Sequence, residues 1–202
     1  MTAIGNPKTL ANFINCLSLL ERNTYLLYQE IADKIEVPLV KSFLLQIALD
    51  SQKHSISLKG IAESIANPEG NLKDCQKNTG ETWRMVDVIL KDVKGKTRIV
   101  SGNFTKLAER LSVLESVMGE EYYMFVQLKT LEFMIKEINQ IYSIDLGSVK
   151  KIFLNIIRDE ETHRELLEKI KTLVKPKTKV DTAPVVKYQN PDAWSRPLPE
   201  TG

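Results

Sequence analysis

Four long stretches of this chain repeat apolar residues at alternating steps of three and four, the spacing that lines up one face of an α-helix. In residues 8–35 the series is Leu10, Ile14, Leu17, Thr24, Tyr28, Ile31 and Ile35. Glu36-Val37-Pro38 then predicts a stop and an immediate restart, because proline suits a first helical turn. So tight a connection implies an antiparallel hairpin. The second stripe reads Val40, Leu44, Ile47, Ser51, His54, Leu58, Ile61 and Ile65, and ends at Asn67-Pro68. A third helix over about 104–142 is apolar on two stripes, one with Leu107, Leu111, Leu114 and Met118, the other with Val113, Val117 and Met124, which predicts contact with several neighbours. The fourth, 149–174 with Ser148 as a suitable N-cap, carries Val149, Phe153, Ile156, Glu160, His163, Leu167, Ile170 and Val174.

Polar residues interrupt these stripes at matching places. Glu21 fills the gap between Leu17 and Thr24, Ser51 and His54 occupy the middle of the second stripe, and Glu160 with His163 sit where a core position calls for leucine. Glu21 and the Ser51/His54 pair lie about 14 residues to either side of the first hairpin. At about 1.5 Å per residue that places them at one depth. Glu160 and His163 are three apart, so both side chains leave the helix in the same direction, a spacing for two ligands on one metal. Burying a carboxylate and an imidazole without partners costs several kcal/mol, so the layer needs compensation. Each residue also has a structural reading: Glu21 as a glutamate beside the seam paired with Arg22, and His54 as a hydrogen-bonded core histidine.

Between the second and third long helices, residues 67–103 include a short amphipathic pattern over 81–94, with Trp83, Val86, Leu90 and Val93. A connection of this length can travel back along a long helix, so the second and third helices run the same way. The predicted fold class is all-α, a four-helix bundle with one long crossover. Its domain spans 1–174, and 175–202 form a Pro-rich, basic, extended tail.

Charge and cysteine content refine this picture. The net charge is only +2, but residues 169–202 hold seven Lys/Arg against three acids, a local +4 that leaves −2 for the rest. Lys175, Lys177, Lys179, Lys187 and Arg196, with the aromatic anchors Tyr188 and Trp194, make the tail a candidate partner-binding segment. A solvated, solubilising tail is the plainer alternative. Cys16 and Cys75 show no CxxC or Cys/His spacing, so neither a disulfide framework nor a zinc knuckle is expected. With no signal-peptide pattern at the start and no apolar run of membrane-spanning length, a cytoplasmic protein is expected, without a membrane partner. The last five residues spell LPETG, a sortase sorting signal without the apolar and basic continuation of a genuine substrate, and read as coincidence or a tag. Nucleophilic and phosphate-binding chemistry find no support: there is no GxSxG, no glycine-rich P-loop and no sequence-evident base for Cys16.

Four long helices, a long crossover and a polar layer at mid-core resemble the ferritin-like superfamily, with rubrerythrins the nearest in character, over about residues 8–174. The family pattern is a glutamate from each of two helices and Glu-x-x-His from each of the other two. Glu21 matches the first, Glu160 and His163 match the fourth-helix motif in full, and His54 matches the second-helix histidine. Gly119-Glu120-Glu121-Tyr122 is similar to the Gly-Glu-x-Tyr around the third-helix ligand. Two departures stand out. Ser51 replaces the second-helix glutamate, and Asp50, one position away, is turned about 100° from the seam. The third-helix acids near the core are Glu115, Glu120, Glu121 and Glu132, and counting depth from the turn at 143–148 favours Gln127 or Glu132 over Glu120. The choice among Glu120, Glu121, Gln127 and Glu132 stays open.

The resemblance implies iron or manganese held by Glu21, His54, Glu160 and His163, with Tyr25, Tyr28 and Tyr122 able to tune the metal, and redox chemistry on peroxide, oxygen or ferrous ion. With one bridging carboxylate replaced by a hydroxyl, a mononuclear or vestigial site is also consistent with it. Whether the chain is an enzyme stays open, and no catalytic residue is assigned. The alternative is a metal-free binding protein of the same fold whose basic tail docks on a ribosome or other RNA-rich assembly, or on a protein shell. A homodimer is compatible with either.

Overall fold

The computed structural model describes residues 7–69, 72–127 and 146–174. Among them the chain is all-α, with six helices and no strand: α1 (Pro7–Asp33), α2 (Pro38–Ile65), α3 (Leu72–Asn78), α4 (Gly80–Lys94), α5 (Ser101–Gln127) and α6 (Leu146–Leu173). The basic tail with Lys175, Lys177, Lys179, Lys187, Tyr188, Trp194 and Arg196, and the stretch holding Glu132, lie outside the described residues.

Local sequence accounts for most boundaries. Pro38 opens α2, preceded by Val37 in an extended conformation at φ −78° and ψ 110°, where a residue before proline belongs. Asn67-Pro68 stops α2, and Ala66 is already extended. Thr79 separates α3 from α4, which opens on Gly80, whose φ of +39° is a conformation only glycine adopts readily. The Thr79 hydroxyl closes the end of α3 on the Cys75 carbonyl at 2.9 Å. Two expectations change. The crossover carries two helices instead of one, and the last helix starts at Leu146, ahead of the N-cap expected at Ser148.

Side-chain pairs fix the directions of the long helices. Ser18 donates to the Ser55 carbonyl at 2.8 Å, so α1 and α2 are antiparallel neighbours around the Val37-Pro38 turn. Tyr28 bonds Glu115 while Tyr122 bonds Glu21, so α1 and α5 are antiparallel as well. It follows that α2 and α5 run the same way. α6 runs against both α2, through His54 and Asp159, and α5, through Glu115 and His163. Tyr28, Tyr122, Phe104, Phe153, Ile14, Leu17 and Leu44 are among the largest fully buried side chains. α4 lays Trp83, Val86, Ile89 and Val93 into the same core. Lys34, near the end of α1, holds the far end of the crossover by donating to the Val93 and Lys96 carbonyls at 2.8 and 2.6 Å.

The two cysteines are bonded to each other, contrary to expectation. Cys16 of α1 and Cys75 of α3 form a buried disulfide across 59 residues, with Cα atoms 4.9 Å apart. No local spacing announces it, because the crossover carries α3 back over the first half of α1. A cross-link closing a loop of 59 residues restricts the unfolded chain by about 4 kcal/mol in the chain-entropy account. Reduction should therefore lower the denaturant midpoint by up to that equivalent, measured by urea titration with and without dithiothreitol. No described helix is long and apolar enough to cross a membrane.

Candidate metal centre

Each polar interruption of the apolar stripes reaches the same buried layer. Glu21, His54, Glu160 and His163 are 0, 1, 3 and 1 % exposed. A fifth residue joins them. Glu115 of α5, 1 % exposed, is the third-helix carboxylate, whereas Glu120 points to solvent and Glu121 accepts a hydrogen bond from Thr82 at 2.5 Å. Gln127 lies three turns further along α5, at its described end.

These five residues form two groups that share one member. One ligand atom each from Glu21, His54 and Glu160 lie within 4.8 Å of one another, and the same holds for Glu115, Glu160 and His163. His54 Nδ1 stands 3.4 Å from both Glu21 Oε1 and Glu160 Oε1. His163 Nδ1 stands 2.9 Å from Glu115 Oε2 and 3.7 Å from Glu160 Oε2. Both imidazoles thus turn Nδ1 inward, and the rings are 6.2 Å apart.

Outside the ligand atoms runs a second set of contacts that spacing alone did not predict. His54 Nε2 donates to Asp159 at 3.0 Å and His163 Nε2 donates to Asp50 at 3.3 Å, each histidine being fixed by the helix that carries the other. Lys53 ties the two aspartates together, 2.8 Å from each. Asp50 therefore does not replace the absent glutamate; it orients His163 from behind. Tyr122 donates to Glu21 at 2.6 Å and Tyr28 donates to Glu115. The halves match residue by residue: Glu21 and Tyr28 correspond to Glu115 and Tyr122, and Asp50-Ser51-x-x-His54 to Asp159-Glu160-x-x-His163. That doubled pattern was the signal for Glu115, Asp50 and Asp159. Only Ser51 opposite Glu160 breaks it.

The electrostatics describe a site under strain from its own charge. Burial opposes charging of both histidines, but the charge of Glu21, the hydrogen bond to Asp159 and the nearby Glu160 raise His54 to about 11. Asp50, Glu115 and Glu160 likewise raise His163 to about 12. Glu160 is pushed up to about 8 by burial and by the charges of Glu115 and Glu21. Hydrogen bonds from His163 and His54, aided by Lys53, hold Asp50 and Asp159 below the usual carboxylate range. Burial and the nearby carboxylates drive Tyr28 and Tyr122 well above ordinary phenol values, so both remain donors.

Imidazolium charge does not satisfy the layer. Glu21 Oε2, His54 Nδ1 and both oxygens of Glu160 are buried without a hydrogen-bond partner. The 3.4 Å separation of His54 and Glu160 permits Coulomb attraction, but the geometry is not that of a hydrogen bond. Orphaned buried polar atoms are rare and costly, and these four all belong to the first group or to the shared residue. Cations held by the two groups would give these atoms partners, and the donor set of carboxylates and imidazoles suits them. Buried Glu/His groups that could hold a metal ion are thus a property of this fold. Comparison of the chain with protein-family models, with curated proteins and with solved structures finds no match.

Proposed function

We propose that the chain is a ferritin-like four-helix metalloprotein that holds iron or manganese between its long helices. The observation carrying this reading is the pair of ligand groups joined at Glu160, whose two buried oxygens have no partner in the protein. Glu21 and His54 would hold one cation and Glu115 and His163 a second, with Glu160 belonging to both groups. Carboxylate-rich sites with imidazole favour iron and manganese over softer-ligand metals. When bound, such a metal supplies one-electron redox chemistry toward oxygen or peroxide. The chain's own residues orient and insulate. Asp159 and Asp50 hold Nε2–H of each histidine, so that Nδ1 faces inward and offers its lone pair to a cation once its own proton has left. Tyr28 and Tyr122 hold Glu115 and Glu21 in place.

Protons supply the test. His54, His163 and Glu160 all carry one at neutral pH in the metal-free protein, and ligation requires the unprotonated form. Anaerobic ferrous or manganous loading should reach at least one ion per chain. Filling both groups should release about three protons below pH about 8 and about two above it, where Glu160 has already lost its own. Affinity therefore rises with pH, more steeply below that value. Elemental analysis with a pH indicator reads both quantities. Less than one ion per two chains after loading, with no proton release, would sink the reading.

A further inference from the structure

Two clefts reach the buried layer from outside, and they meet opposite sides of it. One, about 290 Å³, lies between α2 and α6 and ends on His54 and Asp159. It faces the Nε2 side of the histidine, already engaged by Asp159. The other, about 170 Å³, lies between α5 and α6 and ends on Glu115 and Glu160, the carboxylates of the second ligand group. Glu160 lines this cleft with 3 % exposure and no hydrogen-bond partner on either oxygen.

The composition of the second cleft is graded. Glu120 and Glu161 stand exposed at its rim with Tyr123 and Arg164, and Glu115 and Glu160 lie at its floor. Arg164 is held aside by its ion pair with Glu161 and a 3.3 Å hydrogen bond to Ser116. Gly119 forms the wall beside the floor. A Cβ there would lie 3.4 Å from Glu160 Cβ and 3.9 Å from its Cγ, so any larger side chain would stand in the approach to the carboxylate.

We propose that divalent cations reach the centre through this cleft, drawn by Glu120 and Glu161 and passed to Glu160, with Gly119 keeping the way open. The proposal rests on the metal reading above and adds the route. Exposed acids at a rim raise the local cation concentration and speed capture in a salt-dependent way.

Cobalt(II) is a suitable probe, because its visible absorption changes on binding imidazole and carboxylate, giving the rate and the end point in one stopped-flow trace. Gly119→Leu should slow uptake at least tenfold while reaching the wild-type end point. Glu120→Gln with Glu161→Gln should slow it severalfold and flatten its dependence on ionic strength. Asn155→Leu, at the mouth of the other cleft, should load at the wild-type rate. If Gly119→Leu also lowers the end point, Glu120→Gln alone, at an exposed rim residue outside the Arg164–Glu161 ion pair, decides. Wild-type rates in both the Gly119 and the rim variants, or slowing confined to Asn155→Leu, overturn the route and leave the centre standing. Failure of the wild type to bind cobalt removes the centre and the route together.

Discussion

Glu160→Gln should abolish tight metal binding in both ligand groups at once, while Glu21→Gln and Glu115→Gln each impair one. Glu160 alone belongs to both groups, and neither of its oxygens has a hydrogen-bond partner in the protein. Loss of an outer hydrogen-bonding partner typically costs a metal site 10–100-fold, so loss of a shared direct ligand should cost at least about 100-fold. The substitution is unusually clean. With its pKa near 8, Glu160 is protonated in the metal-free protein at neutral pH, and glutamine has the same size and the same lack of charge. The metal-free fold should unfold at nearly the wild-type denaturant concentration. Equilibrium dialysis with manganese, beside a urea titration, checks both halves. Undiminished binding with an unchanged fold would mean that Glu160 is no ligand.

Ser51→Glu should move stability in opposite directions with and without metal. Ser51 is 1 % exposed and stands three residues before His54, as Glu160 stands before His163. Without metal, a fourth acid beside Glu21, Glu115 and Glu160 either ionises at a cost of several kcal/mol or takes up a proton, and destabilises the fold in both cases. With metal the sign reverses. Three carboxylates leave two divalent cations with one uncompensated positive charge, and a fourth removes it, so the second ion should bind about tenfold more tightly or better. Thermal unfolding with and without manganese should show a lower midpoint for the metal-free variant and a larger shift on loading than in the wild type. Equal shifts would place position 51 outside the centre.

Sequence patterning exposed Glu21, His54, Glu160 and His163 because each interrupts an apolar stripe that is otherwise continuous. Glu115 escaped for a physical reason. α5 is apolar on more than one face, so a glutamate near its seam does not stand out, and depth was counted from an assumed turn at 143–148. Glu115 lies more than twice as far from Leu146 as Glu160 does, so equal counting from that end fails. Register between these helices is set by side-chain pairs such as His163 with Glu115 and Arg164 with Ser116. The aspartates were legible only as members of a doubled motif. Cys16 and Cys75 were not legible at all, since helical periodicity carries no information about which distant turn a crossover will cover.

The exchange of aspartates between α2 and α6 has a bearing on assembly. Because Asp159 orients His54 and Asp50 orients His163, neither helical pair contains a finished half-site. Each histidine acquires its Nε2 anchor only when the opposite helix docks, and Lys53 closes the seam over both. A cation bound to the docked form and not to separated helices adds its binding free energy to that interface. The metal would then act as a check on tertiary structure, reporting that α2 and α6 have met in the correct register.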